Sequence, residues 1–178
     1  MTAKKFEPTR IDYPRHWFLL GTFIWAIMTV SIIYLAWVSV ADAVRAFWII
    51  IGLVEGVLLA YLLVFPLLTH HMLGVKGLRL RMGLSINEVI PYEWIKEVTE
   101  KSISWGAVRV GIGVRYSAIM KVMFVTSSFQ SLVSLKLDGE HRIGWPVRRP
   151  VEEIVLSVYS ASHFIDEVRE KTGKVKEE

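Results

Sequence analysis

The chain has 178 residues, 53% of them hydrophobic, and a mean hydropathy of +0.41, which is too apolar for an ordinary small soluble domain. Its formal net charge is only +4 and it has no lysine/arginine block of five or more, so a pI of about 9.4 points to an anionic membrane surface rather than to nucleic acid. With no cysteine, disulfides, thiolate nucleophiles and thiolate metal sites are excluded.

The apolar excess is concentrated near the N-terminus. Trp17 to Val40 carries no charged residue, and Phe47 to Thr69 carries only Glu55. Each run exceeds the roughly 20 residues that a helix needs to cross about 30 Å of hydrocarbon. A cleaved signal peptide fits poorly, because its apolar core is only about 7 to 15 residues long. Two buried core helices are the other alternative. The expected organisation is an N-terminal cytoplasmic segment, 1–16, followed by a two-span transmembrane hairpin, 17–71.

Lys4, Lys5, Arg10 and Arg15 precede the first span, and Lys76, Arg79 and Arg81 follow the second, whereas the loop over 41–46 offers only Arg45 against Asp42. By the positive-inside bias both termini are cytoplasmic, in the cell (plasma) membrane, with the short loop outside. Trp17 and Phe18 at one end, with Trp37, Phe47 and Trp48 at the other, suit the interfacial aromatic belts. Pro66 lacks an amide proton and clashes with the carbonyl four residues back, which predicts a kink near Leu62. His70 and His71 are neighbours that point about 100° apart on a helix, so they read as an interfacial pair and not as metal ligands.

From Met72 the texture changes to short alternating segments with turn residues between them, the pattern of strands with one buried face. In "VKGLRLRMG" Leu78, Leu80 and Met82 share one face while Arg79 and Arg81 share the other. Gly83 allows a turn into "SINEVIPYE". "AVRVGIGVRY" and "KVMFVTS" are rich in β-branched residues, and Gly111 and Gly113 suit a bulge or tight bend. Asp138-Gly139 between alternating apolar residues is the strongest short hairpin signal. "VEEIVLSVYS" fits both periods, and its β-branched density favours a strand. Ser160 or Ser162 then caps a final helix over "HFIDEVREKTG", with Phe164, Ile165 and Val168 on one face and Gly173 as the stop. Residues 174–178 form a fraying tail.

"GLRLRMGLSINEVIPYEWIKEV" and "IVLSVYSASHFIDEVREKTG" resemble the opening and the close of the prokaryotic pleckstrin-homology-like domains, a family often tethered to membrane helices. Ser162-His163 stands where that family usually has a proline-acid pair. The resemblance implies a mostly antiparallel β domain over 72–173, strongly bent or a partly open barrel, with the C-terminal helix plugging one end. It implies binding or scaffolding much more than chemistry.

"KGLRLR" looks similar to the basic spacing with which some pleckstrin-homology domains hold phosphoinositide headgroups. As the solvent half of an alternating strand beside the bilayer exit, Lys76, Arg79 and Arg81 are expected to dock nonspecifically on anionic lipid, at about 1 kcal/mol each. "WPVRRP" sets Trp145, Arg148 and Arg149 in a stiff, proline-bounded loop, a candidate partner contact with the composition of an ordinary surface loop. "VGIGV" lacks the full phosphate-loop pattern. No nucleophile with a base, paired acids or metal cluster stands out, so neither catalysis nor a cofactor or metal is expected.

Antiparallel pairing about a loop centred near Ala43 puts Glu55 at the depth of Ser31, with Gly52 near Tyr34 and Gly56 near Val30. That is about 12 Å into the helix from Phe47 at about 1.5 Å per residue, where a charged acid costs a few kcal/mol on insertion scales. Gly52 and Gly56 form a GxxxG pair that lets a helix approach closely beside this acid. Its partner is Ser31 or Tyr34 within the hairpin, or a second copy. The readings are a structural hydrogen bond, an oligomer contact, or an ion or proton route. The expected function is a membrane-anchored scaffold or interaction module whose partners are membrane lipid and either a homo-oligomer or another membrane protein. A subunit of a small transporter or channel using Glu55 is the alternative.

Overall fold

Two helices long and apolar enough to cross a membrane open the architecture, α1 (His16–Val38) and α2 (Asp42–Leu59), the second continuing to Leu67. The computed structural model describes residues 9–101, 112–144 and 147–173. The helices pack antiparallel through a loop at Ser39–Ala41 that closes earlier than the sequence suggests. Arg45 closes it, with Nη2 donating to the Ser39 carbonyl at 2.9 Å and Nη1 lying 3.5 Å from Asp42. Near Pro66 the helical ladder widens into a π-helical turn over Ala60–Val64, and the Phe65 amide donates to the Ala60 carbonyl. A single turn, α3 (Phe65–Leu67), follows. The proline cannot continue a normal ladder, and the wider turn absorbs the misfit where a kink was expected.

The first strand lies before the hairpin. β1 (Thr9–Ile11) pairs antiparallel with β2 (His71–Leu73), which sets Arg10 opposite Met72. Part of the segment 1–16 thus belongs to a sheet whose other strands follow the spans. Lys4 and Lys5 lie outside the described residues. β3 (Gly77–Met82) and β4 (Ile86–Pro91) complete a four-stranded sheet of order β1-β2-β3-β4. Leu78, Leu80 and Met82 are buried while Arg79 and Arg81 are exposed, as the period of two requires.

A 3-10 turn, Tyr92–Trp94, leads into β5 (Ile95–Lys101) and a five-stranded sheet. β6 (Gly113–Ser117), β7 (Val122–Thr126), β8 (Leu132–Ile143) and β9 (Arg149–Ser157) complete it in the order β5-β8-β9-β7-β6. Its pairs are antiparallel except β7 with β9. Gly111 lies outside the described residues. The ambiguous segment after Pro150 is a strand, as its β-branched density favours.

Asp138-Gly139 does not reverse the chain. β8 runs through it, its pairing with β9 holding at Lys136↔Glu153 and resuming at His141↔Val151 across a register shift. The side chains explain the bulge. His141 Nε2 lies 2.6 Å from the Asp138 carboxylate, and its ring stacks on Trp94 at 4.0 Å. Lys121 holds both Glu140 and Glu152 at 2.8 and 2.7 Å. Gly144, at a φ of 116°, lies in the reversal between β8 and β9.

The last helix, α4 (Ala161–Thr172), stops at Gly173 in the left-handed conformation. Neither Ser160 nor Ser162 caps it through an amide; their hydroxyls are 3.5 Å apart. Phe164, Ile165 and Val168 join Leu78, Leu80 and Ile90 from one sheet and Ile95, Leu135 and Leu156 from the other in a single core. Tyr13 and Phe18, which flank the start of α1, belong to that core as well.

Candidate functional site: the hairpin seam and the junction beneath it

The seam between α1 and α2 is built from small and apolar residues. A Cβ on Gly52 would meet the Ile32 side chain at 3.4 Å, and one on Gly21 would meet Leu63 at 3.3 Å. Both contacts fit one antiparallel register, which sets Glu55 level with Thr29 and not with Ser31. Positions 29 and 31 are about 200° apart around a helix, so Ser31 faces outward. It is exposed and donates to the Ile27 carbonyl at 2.9 Å. Tyr34 is exposed at 60%. Gly56 has open space where its Cβ would stand, so only Gly52 of the GxxxG pair is used inside the hairpin. Glu55 is buried at 8% exposure, and neither carboxyl oxygen has a hydrogen-bond partner.

At the foot of the hairpin the two spans meet the first sheet through a buried polar knot. The Tyr13 hydroxyl donates to the Pro66 carbonyl and lies 3.0 Å from the Thr69 hydroxyl. The Thr69 oxygen also accepts the Gly83 amide at 2.7 Å, which ties the β3–β4 turn to the end of the second span. Gly83 is required there, since its φ is 57° and a Cβ would stand 3.0 Å from the Pro66 ring. Arg15 Nη2 donates to the Thr69 carbonyl at 3.2 Å, and its guanidinium lies over the Tyr13 ring. Burial pushes the Tyr13 hydroxyl above its usual pKa, even though the Thr69 hydrogen bond and the Arg15 charge act the other way.

His71 lies beside the knot, its ring 5.2 Å from that of Tyr13. Its Nδ1 accepts the Arg81 amide at 3.2 Å, and Nε2 is buried without a partner. Burial, with a smaller contribution from His70, lowers its pKa to about 4. His71 is thus a neutral core residue and no interfacial group. Phe18 differs from expectation in the same way: at 3% exposure it packs edge-on to Tyr13, while Trp17 remains exposed.

The basic residues predicted to meet lipid are placed as follows. Lys76, Arg79 and Arg81 are all exposed, and Arg79 Nε donates to Asn87 at 2.9 Å. Arg148 is exposed, and Arg149 opens β9 with its guanidinium over the Tyr116 ring. Trp145 lies outside the described residues. Tyr13, Thr69 and Arg115 were not singled out by sequence reasoning; the only signal for the first was the "YPR" stretch immediately before an apolar run. Among the described residues no cluster of three His, Asp or Glu side chains could hold a metal. No family model matches the chain, and no curated protein or solved structure does either.

Proposed function

We propose that the chain is a membrane-anchored scaffold or interaction module, in which the hairpin spans the bilayer and a pleckstrin-homology-like β domain is held against the cytoplasmic leaflet. One observation carries this reading. β1 and β2 flank the hairpin and pair with each other, and Tyr13 bonds to both Pro66 and Thr69, so both ends of the hairpin are fastened to the same sheet. A rigid domain joined in this way takes a defined attitude to the membrane.

Two further features support insertion. Phe23, Leu53 and Val57 are 66%, 67% and 70% exposed, part of an apolar surface along both helices far beyond the few hundred Å² a soluble monomer usually shows. The helices would be about 34 and 39 Å long at about 1.5 Å per residue, which suits a bilayer. Two sheets closed by a C-terminal helix fit a pleckstrin-homology-like domain, and the exposed Arg79 and Arg81 fit nonspecific docking on anionic lipid.

Because the chain has no cysteine, single reporters test the topology. Val40→Cys in the loop, at 95% exposure, should react with a membrane-impermeant maleimide in intact cells. Tyr159→Cys, at 79% exposure after β9, should react only after permeabilisation. Labelling of Tyr159→Cys in intact cells would overturn the reading. The transport reading rests on the unpartnered Glu55 carboxyl; it predicts a proteoliposome flux that Glu55→Gln abolishes, and the scaffold reading predicts no such flux.

A further inference from the structure

A groove of about 470 Å³ opens where the second span meets the β domain. Its wall on the membrane side is Tyr61, in the π-helical turn five residues before Pro66, and the opposite wall carries Ile86, Arg115, Tyr116, Met123 and Arg149. The groove thus sets two arginines of the domain among apolar side chains, with the Tyr61 ring facing them from the helix. Among the described residues no carboxylate lines it, and neither Arg115 nor Arg149 has an acidic partner. Lys121, by contrast, is held by Glu140 and Glu152, and Lys136 by Glu97. Tyr116 fixes the arginine side, donating to the Pro150 carbonyl at 2.7 Å while its ring carries the Arg149 guanidinium at 5.5 Å.

We propose that this groove holds one anionic phospholipid per chain, with Arg115 and Arg149 on its phosphate and its glycerol and upper acyl region against Tyr61. The inference rests on the reading that the hairpin spans the membrane, and it adds a defined lipid site to nonspecific docking through Arg79 and Arg81. Charge complementarity and position select this occupant. Guanidinium groups suit phosphate by their planar donor geometry. Tyr61 stands about one helical turn from Pro66 on the side of the membrane, where the glycerol and upper acyl region of a bound lipid would lie. A soluble phosphate ester would use only the basic half of the groove and leave the Tyr61 side empty.

The test uses the full-length protein in detergent, titrated with phosphatidylglycerol or phosphatidylcholine and read by native mass spectrometry. Wild type should retain one phosphatidylglycerol in preference to phosphatidylcholine. R115Q/R149Q should weaken that retention on the order of ten- to thirtyfold, from about one charge interaction per arginine near lipid, and R115K/R149K should recover only part of it, since lysine restores the charge without the planar donor fork. K136Q should retain the lipid, because Lys136 lies outside the groove and is paired with Glu97. Equal retention of the two lipids, or unchanged retention in R115Q/R149Q, would overturn the proposal. So would displacement of the lipid by millimolar inorganic phosphate, since that would mark a soluble phosphate site. Correct maleimide topology together with no groove lipid would defeat this inference alone, whereas wrong topology would defeat the membrane reading on which it rests.

Discussion

Tyr13→Phe removes one buried hydroxyl from the knot that fastens the hairpin to the sheet. The Pro66 carbonyl would still accept the Thr69 amide at 3.2 Å, and Thr69 would still accept the Gly83 amide at 2.7 Å. No partner is orphaned, so the cost is the net worth of the lost bonds, about 1 to 2 kcal/mol. Tyr13→Ala also removes a ring that is 2% exposed and packed near Phe18 and His71. Emptying an aromatic site of that kind costs about 3 to 5 kcal/mol. Guanidinium unfolding in mild detergent, followed by the β-sheet circular dichroism signal, should therefore rank wild type above Tyr13→Phe and both above Tyr13→Ala, with similar denaturant slopes. A fragment beginning at Met72 loses β1 and Tyr13 together and should be less stable than Tyr13→Ala. Stability of Tyr13→Ala within about 1 kcal/mol of wild type, against the expected 3 to 5, would refute the view that the N-terminal segment is part of the β domain.

Gly83→Ala forces a Cβ into the left-handed conformation and toward the Pro66 ring at 3.0 Å; the same unfolding assay should show a loss of about 1 to 3 kcal/mol, and a neutral result would mean the turn does not abut the span. His71 has a folded pKa of about 4 against an ordinary 6.5. Between these values the unfolded chain binds the extra proton, so stability should be complete above about pH 6.5 and fall by up to about 3 kcal/mol on acidification to pH 4. His71→Gln should flatten that part of the profile, and an unchanged slope would assign it to other groups. At Glu55, where both carboxyl oxygens lack partners, Glu55→Leu should stabilise the hairpin by about 1 to 3 kcal/mol in heat or dodecyl sulfate unfolding, and Glu55→Ala should leave a gap and lower stability. Destabilisation by leucine would show that the carboxyl has a hydrogen-bond partner.

The parts legible in the sequence are those whose signal is local. Leu78, Arg79, Leu80, Arg81 and Met82 alternate because β3 has one buried face, and the two long helices announce themselves by the length of their apolar runs. The final helix is readable from Phe164, Ile165, Val168 and the Gly173 stop. Misreadings occur where a distant contact overrides the local pattern. Asp138-Gly139 has the chemistry of a tight turn, yet the Trp94 stack and the Lys121 ion pairs hold it within a strand. Glu55 stands out as the one acid of its run, but the residue level with it depends on where the loop closes, and that displacement turns Ser31 out of the seam.

The junction has no local signal for the same reason. Tyr13 and Thr69 are 56 residues apart, and Tyr13 and Pro66 are 53 apart, with both long apolar helices between them. A strand of only "TRI" carries too few positions for any period to register. Its partner becomes adjacent only once the hairpin has closed, so the pairing depends on the contact between α1 and α2. Closure of the hairpin and completion of the first sheet are therefore geometrically linked in this fold. A change in the packing of α1 against α2 has a direct route, through Pro66 and Thr69, to β1, β2 and the β3–β4 turn. That turn leads through Ser85 into Ile86 on the wall of the Arg115/Arg149 groove, so the arrangement of the spans and the shape of the proposed lipid site are set by the same buried bonds.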